Sequence, residues 1–158
     1  MKLVPLTQGK FAKVDDEDFV RVSQFKWAAD ETRSKLGLWY AVRIDYSSGT
    51  RKNIRLHNFI MGMLKIDHKN GDGLDCQKHN LRPATQRQNL QNARKRENTT
   101  SRFKGVSKHT SCNRWAAWIN IEGRGVYLGI YKLEEDAAIA YNGAAKLFFG
   151  EFARLNQV

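Results

Sequence analysis

The stretch IDHKNGDGLDCQKHNLRPATQRQN, residues 66–89, decides how the chain is read. Ile66-Asp67-His68 ends a strand. Lys69-Asn70-Gly71-Asp72-Gly73 is rich in residues that tolerate positive φ and forms a loop. Asn80-Leu81-Arg82-Pro83 resumes an extended path. Thr85-Gln86-Arg87-Gln88 fits a capping box, with Thr85 as N-cap and Gln88 three residues on, so a helix runs to about Arg96. The order is strand, loop, strand, helix.

The polar residues of this stretch suit phosphodiester cleavage, which needs a base for water, a cation on the scissile phosphate and stabilisation of the leaving oxygen. Asp67 offers a hard oxygen beside the imidazole of His68, whose reference pKa near ~6.5 lets it take a proton at neutral pH. Neighbours on a strand point to opposite faces, so twist or a bulge must bring both to one site. Asn89, one turn into the helix, can point back and add a second oxygen. Few protein ligands, all oxygen, suit Mg²⁺. His57 sits on an apolar stretch and reads as a packing or phosphate-contacting residue. His79 reads as exposed. Cys76 and Cys112 form neither a CxxC nor a sequence cluster with histidines, which argues against structural zinc and suits a reducing compartment.

Outward from this core, Phe11–Val14, Trp39–Ile44 and 53–56 pattern as strands. The last two form a hairpin about the turn Tyr46–Thr50. Asp15 to Asp18 opens a helix to about Phe25, since acidic groups favour the positive end of a helix. Leu56 to Met63 forms another short helix. Residues 94–102, RKRENTTSR, lack apolar periodicity and read as a linker. Beyond them come three short strands, Lys104–Val106, Trp115–Ile121 and Val126–Ile130, with Glu122-Gly123-Arg124-Gly125 as a tight turn. Ala137, Ala138, Tyr141, Ala144, Ala145 and Phe148 then carry a helical period over Glu134–Phe149. On the middle strand, Trp115, Ala117 and Ile119 share one face, and Trp118 and Asn120 the other.

Of 158 residues, 41% are hydrophobic and 27% charged, with 2 prolines, which excludes fibrous and wholly disordered chains. No apolar run approaches the ~20 residues of a membrane span, and no secretory signal is evident. The net charge is +11, and each third of the chain carries a basic excess. A spread excess suits a polyanion followed over a long surface better than one basic tail.

Two resemblances account for these features. DHKNG (67–71), NLR (80–82) and RQN (87–89), with the lead-in Leu56 to Gly62, resemble the ββα-metal motif of phage-type HNH homing endonucleases. The resemblance implies His68 as general base, Asp67 and Asn89 as metal ligands, and Asn80 as the residue whose amide holds the long loop. The motif's last letter is Asn89 where many members have His, a pattern similar to the homing subgroup. It implies Mg²⁺ or Mn²⁺ rather than tight Zn²⁺ binding. Residues 102–156 resemble the plant ethylene-response-factor (AP-two) DNA-binding domain, through Phe103–Val106, Arg114–Ile119, Tyr127–Gly129, Ala137–Asn142 and 150–156. That resemblance places DNA contacts on Lys104, Ser107, His109, Arg114, Trp118, Asn120, Tyr127, Ile130 and Tyr141. Lys108 and Arg124 add charge on the same strands.

The expectation is therefore an α+β chain in three parts. Residues 1–97 form an HNH nuclease domain: a β-rich N-terminal region, then a ββα-metal (His-Me finger) core over about 64–96. Residues 98–102 form a linker, and 103–158 a three-stranded antiparallel sheet packed on one helix. Its expected work is site-specific cutting of double-stranded DNA as a homing endonuclease, by a monomer in the (host) cytoplasm, with no membrane and no small-molecule substrate. A regulator that binds DNA without cutting it is the alternative. An RNA-directed protein fits less well, because the aromatic RNA-binding signature is absent.

Overall fold

A computed structural model describes residues 1–31, 37–47 and 49–158, a mixed α/β chain with small antiparallel sheets. It forms two compact units, Met1–Gln86 and Arg87–Val158. The hairpin turn expected over 46–50 includes position 48, which lies outside the described residues.

In the first unit, β1 (Lys2–Pro5) pairs antiparallel with β2 (Phe11–Val14). Helix α1 (Asp16–Ser23) starts on Asp16, Glu17 and Asp18, where carboxylates meet the unpaired N–H groups of its first turn. Strands β3 (Ala28–Glu31), β4 (Trp39–Asp45) and β5 (Lys52–Arg55) form an antiparallel meander, and α2 (Leu56–Met61) follows directly. Leu56 thus opens a helix instead of closing the strand. Gly62, with φ of 64°, stops α2 in the left-handed conformation that glycine adopts at low cost. The chain then enters β6 (Ile66–His68), which pairs antiparallel with β7 (Leu81–Pro83).

One core serves most of these elements: Val4, Val14, Val22, Trp27, Leu56, Ile60, Ile66, Cys76 and Leu81 pack together. Two ties fold the long β6–β7 connection onto it. The Lys13 N–H donates to the Leu74 carbonyl at 2.8 Å, and the Cys76 N–H to the Lys13 carbonyl at 2.9 Å. Gly73 lies so close to β4 that a Cβ would come within 2.4 Å of the Trp39 carbonyl oxygen. No larger residue fits there without moving backbone.

The second unit opens with most of α3 (Gln86–Asn92), which begins right after Thr85 and ends short of the expected Arg96. Three strands follow, β8 (Val106–Lys108), β9 (Trp115–Ile121) and β10 (Arg124–Tyr131), antiparallel in the order β10-β9-β8. Helix α4 (Glu134–Phe149) packs on this sheet. Ala137, Ala138 and Ala145 are fully buried, so small side chains set the close approach of helix to sheet. β8 begins two residues later than expected. Gly105 has φ of +77°, and its carbonyl takes the Trp118 N–H at 2.7 Å, so the chain turns there before it can extend.

Residues 99–102 are hydrogen-bonded into this unit. The Ser101 hydroxyl donates to Glu134 at 2.6 Å, and the Arg102 N–H donates to the same carboxylate at 3.0 Å.

Candidate functional site

Strand β6 carries the two residues that open the motif, and its pleat separates them. Asp67 lies opposite Arg82 in register, and Arg82 donates to Asp67 Oδ2 from Nε at 2.9 Å and Nη2 at 2.8 Å, with both side chains buried. His68, one residue on, meets a different set of neighbours. Its ring packs 4.7 Å from that of His57 on α2 and 5.8 Å from that of Tyr40 on β4. Its Nε2 lies 3.9 Å from Cys76 Sγ.

Burial sets the charge state here. His68 is 5% exposed and His57 is 3% exposed. Burial pushes the His68 pKa down to about 4, against the opposing pull of the Asp67, Asp72 and Asp75 carboxylates. Burial, then the neighbouring His68, pushes His57 down to about 3. Both imidazoles are therefore neutral at pH 7. A neutral ring holds a lone pair ready for a proton or a cation. Burial also drives the Cys76 thiol far above its ordinary value, so it stays protonated unless a cation takes the proton's place.

His57, His68 and Cys76 offer ligand atoms that all lie within 4.8 Å of one another. This corrects the sequence reading, which saw no Cys/His cluster. The three residues converge only because α2 turns back at Gly62 and β2 pins Cys76. No local spacing carries that signal. The nitrogen and sulfur donors suit a divalent cation, softer than the all-oxygen set expected from sequence.

The long loop is held by Asn80, in a single turn of 3-10 helix at Lys78–Asn80. Its amide donates to the Asp75 carbonyl at 2.8 Å and to Asn70 Oδ1 at 3.1 Å, and its oxygen accepts the Asn70 N–H at 3.0 Å. Asn70 in turn donates to Asp75 Oδ2 at 2.8 Å. Asn89 lies half-buried on α3, in the second unit, and His79 is exposed.

On the second unit's sheet, Trp118 and Tyr127 face each other across β9 and β10 with ring centroids 4.9 Å apart, 45% and 49% exposed. Ile119 of the same strand is buried under α4, so strand alternation leaves the aromatic pair on the open face. Asn120, Arg124, Arg114 and Lys108 are exposed as well, while Ser107, His109 and Ile130 are half-buried. The Asn120 side-chain oxygen accepts the Gly123 N–H at 3.0 Å and shapes the β9–β10 turn.

Two of the positions that the resemblance sets on DNA point inward. Tyr141 is buried against Gly105, where a Cβ would meet its ring at 2.0 Å. Lys104 directs its ammonium at the carbonyls of Leu90, Gln91 and Ala93, at 3.4, 2.6 and 2.7 Å. Three donors on three carbonyls use its whole capacity. Burial, then the charge of Arg154, lowers its pKa to about 8.

No family model matches the chain. Among named proteins it is 31% identical to an uncharacterized HNH endonuclease of Acanthamoeba polyphaga mimivirus over 160 aligned residues, covering 96% of this chain and 77% of that protein. With that identity over nearly the whole chain, the protein belongs to the HNH endonuclease family. It is also 39% identical over 62 residues to a protein of Arabidopsis thaliana named for binding dehydration-responsive elements. That match covers 38% of this chain and 39% of the plant protein.

Proposed function

We propose that the chain is a site-specific DNA endonuclease of the homing type, with a nuclease domain over 1–97, a connector at 98–102 and a DNA-reading domain over 103–158. The observation that carries this reading is His68, a neutral imidazole at the end of β6, beside a loop that Asn80 holds in place. In this reading the nuclease domain has a ββα-metal core.

His68 takes a proton from water as the water oxygen attacks phosphorus, and the P–O3′ bond breaks. The leaving oxygen takes a proton from solvent, so the cut leaves a 5′-phosphate and a 3′-hydroxyl. Asp67 and Asn89 are the proposed oxygen ligands of a divalent cation, Mg²⁺ or Mn²⁺. When bound, the cation would neutralise charge on the scissile phosphate and the leaving oxygen. Asn80 keeps the loop rigid, so that His68 is positioned before DNA arrives. On the open sheet face, Arg114, Trp118, Asn120, Arg124 and Tyr127, flanked by Ser107, Lys108 and His109, contact double-stranded DNA. Charge grips phosphates, while amide, guanidinium and ring groups meet base edges. A monomer working in the host cytoplasm fits this scheme. Among the described residues no helix is long and apolar enough to cross a membrane.

One observation favours a second reading, a regulator that binds DNA without cutting it: Asp67 is already engaged by Arg82. Supercoiled plasmid carrying candidate target DNA separates the two. The nuclease nicks or linearises it with Mg²⁺ and not with EDTA. A regulator retards the same DNA equally in both and never cuts it.

A further inference from the structure

The first unit gathers more metal-binding capacity than the proposed nuclease reaction uses. His57 and Cys76 have no part in that reaction, yet both are buried beside His68. His57 Nδ1 is fully buried with no hydrogen-bond partner, although it sits on a ring next to other polar groups. Asp75 Oδ1 is likewise buried without a partner. A buried ring nitrogen left without a partner is disfavoured, and a cation bound at that atom would satisfy it. The carboxylates of Asp72 and Asp75 act on both His68 and Cys76 and offset part of the cost of burying positive charge there.

We infer that His57, His68 and Cys76 form a binding site for a soft divalent cation of the Zn²⁺ class, separate from the oxygen ligands proposed for Mg²⁺. Two imidazoles and one thiolate are a three-ligand zinc set that leaves a fourth position for water. The thiol proton leaves to solvent as the metal–sulfur bond forms, so the site gains one positive charge, which Asp72 and Asp75 offset. Zinc at ordinary bond lengths holds such ligand atoms about 3.3–3.6 Å apart. The 3.9 Å between Cys76 Sγ and His68 Nε2, within the 4.8 Å cluster, calls for a modest side-chain rotation. Occupation would take the His68 lone pair and silence it as a base, a consequence that rests on the nuclease reading. The site itself does not depend on that reading.

The test is cobalt binding to the full chain, read by absorption. Cys112 is exposed with its Sγ 3.5 Å from His109 Nδ1, so the measurements use a Cys112→Ser background that removes this rival thiol. The expected result is a thiolate-to-cobalt charge-transfer band that Zn²⁺ displaces and a large excess of Mg²⁺ does not. Cys76→Ser should abolish the band, and His57→Gln should weaken cobalt binding at least tenfold. X-ray absorption on the Zn²⁺-loaded Cys112→Ser protein covers the case in which Cys76→Ser fails to fold. It should report one sulfur and two imidazole nitrogens. A shell without sulfur, no charge-transfer band, or a band that survives Cys76→Ser in a folded protein would overturn the site. No arm measures DNA cleavage, so failure here is distinguishable from failure of the nuclease reading.

Discussion

Asn80 shows how much one amide can hold. Its three hydrogen bonds join both ends of the 69–80 loop, and its buried side chain has no solvent to replace them. Asn80→Ala strands the Asn70 N–H and the Asp75 carbonyl, at about 2–3 kcal/mol together. We expect a lower melting temperature and lost cleavage in the same variant. A protein that melts like wild type would remove Asn80 from this role. The two buried histidines set acid sensitivity. Both have folded pKa values, about 3 and about 4, below the 6.5 of an exposed ring, so the unfolded chain binds protons more strongly. Their contribution is complete above about pH 6.5 and is lost as the pH falls toward 4, at up to about 1.4 kcal/mol per pH unit for each ring. Denaturant unfolding across pH 7 to 4 should show this slope, and His57→Gln should reduce it by about half. An unchanged slope would place the acid sensitivity elsewhere.

At the scale of elements, Lys104 acts as the C-terminal cap of α3. A cation on the last carbonyls of a helix contributes up to about 2 kcal/mol when partly buried. Lys104→Met keeps the length and loses the charge, so we expect a loss of about 1–2 kcal/mol and faster amide exchange over the last turn of α3. Unchanged exchange there would show that the carbonyls find water instead. This tie also explains why α3 ends at Asn92 when sequence reading carried it to Arg96. The stop is a tertiary contact from 104, with no glycine or proline to announce it. Where local chemistry decides, the elements were legible. α4 follows from its buried alanines. The β9–β10 hairpin follows from Glu122 and Gly123, both at positive φ. β1 and β3 went unread, because their sequences, KLVP and AADE, lack the apolar–polar alternation of a half-buried strand. In the proposed site, Asp67, His68 and Asn89 were nameable from their chemistry along the stretch, and Asn80 from the family resemblance. The meeting of His57, His68 and Cys76 was not, because it depends on the Gly62 turn and on the tie between Lys13 and Cys76.

For the whole molecule, the net charge of +11 is shared between both units, so DNA contact should extend along the chain. Each phosphate neutralised releases counterions, and log K falls with log[salt] at about 0.9 per contact. We expect a slope near 6 or more for the full chain on duplex DNA, read from binding titrations between low and physiological salt. A slope near 1 would mean that the basic surface does not follow the backbone. The central claim is that His68 activates water in a metal-dependent cut. Its most direct test is single-turnover cleavage at saturating Mg²⁺ and enzyme, wild type beside His68→Ala, with DNA affinity measured on the same preparations. A positioned base contributes about 10²–10⁴ in rate. The account predicts a loss of that size with affinity within a few-fold of wild type. Cleavage by His68→Ala at near the wild-type rate would contradict it.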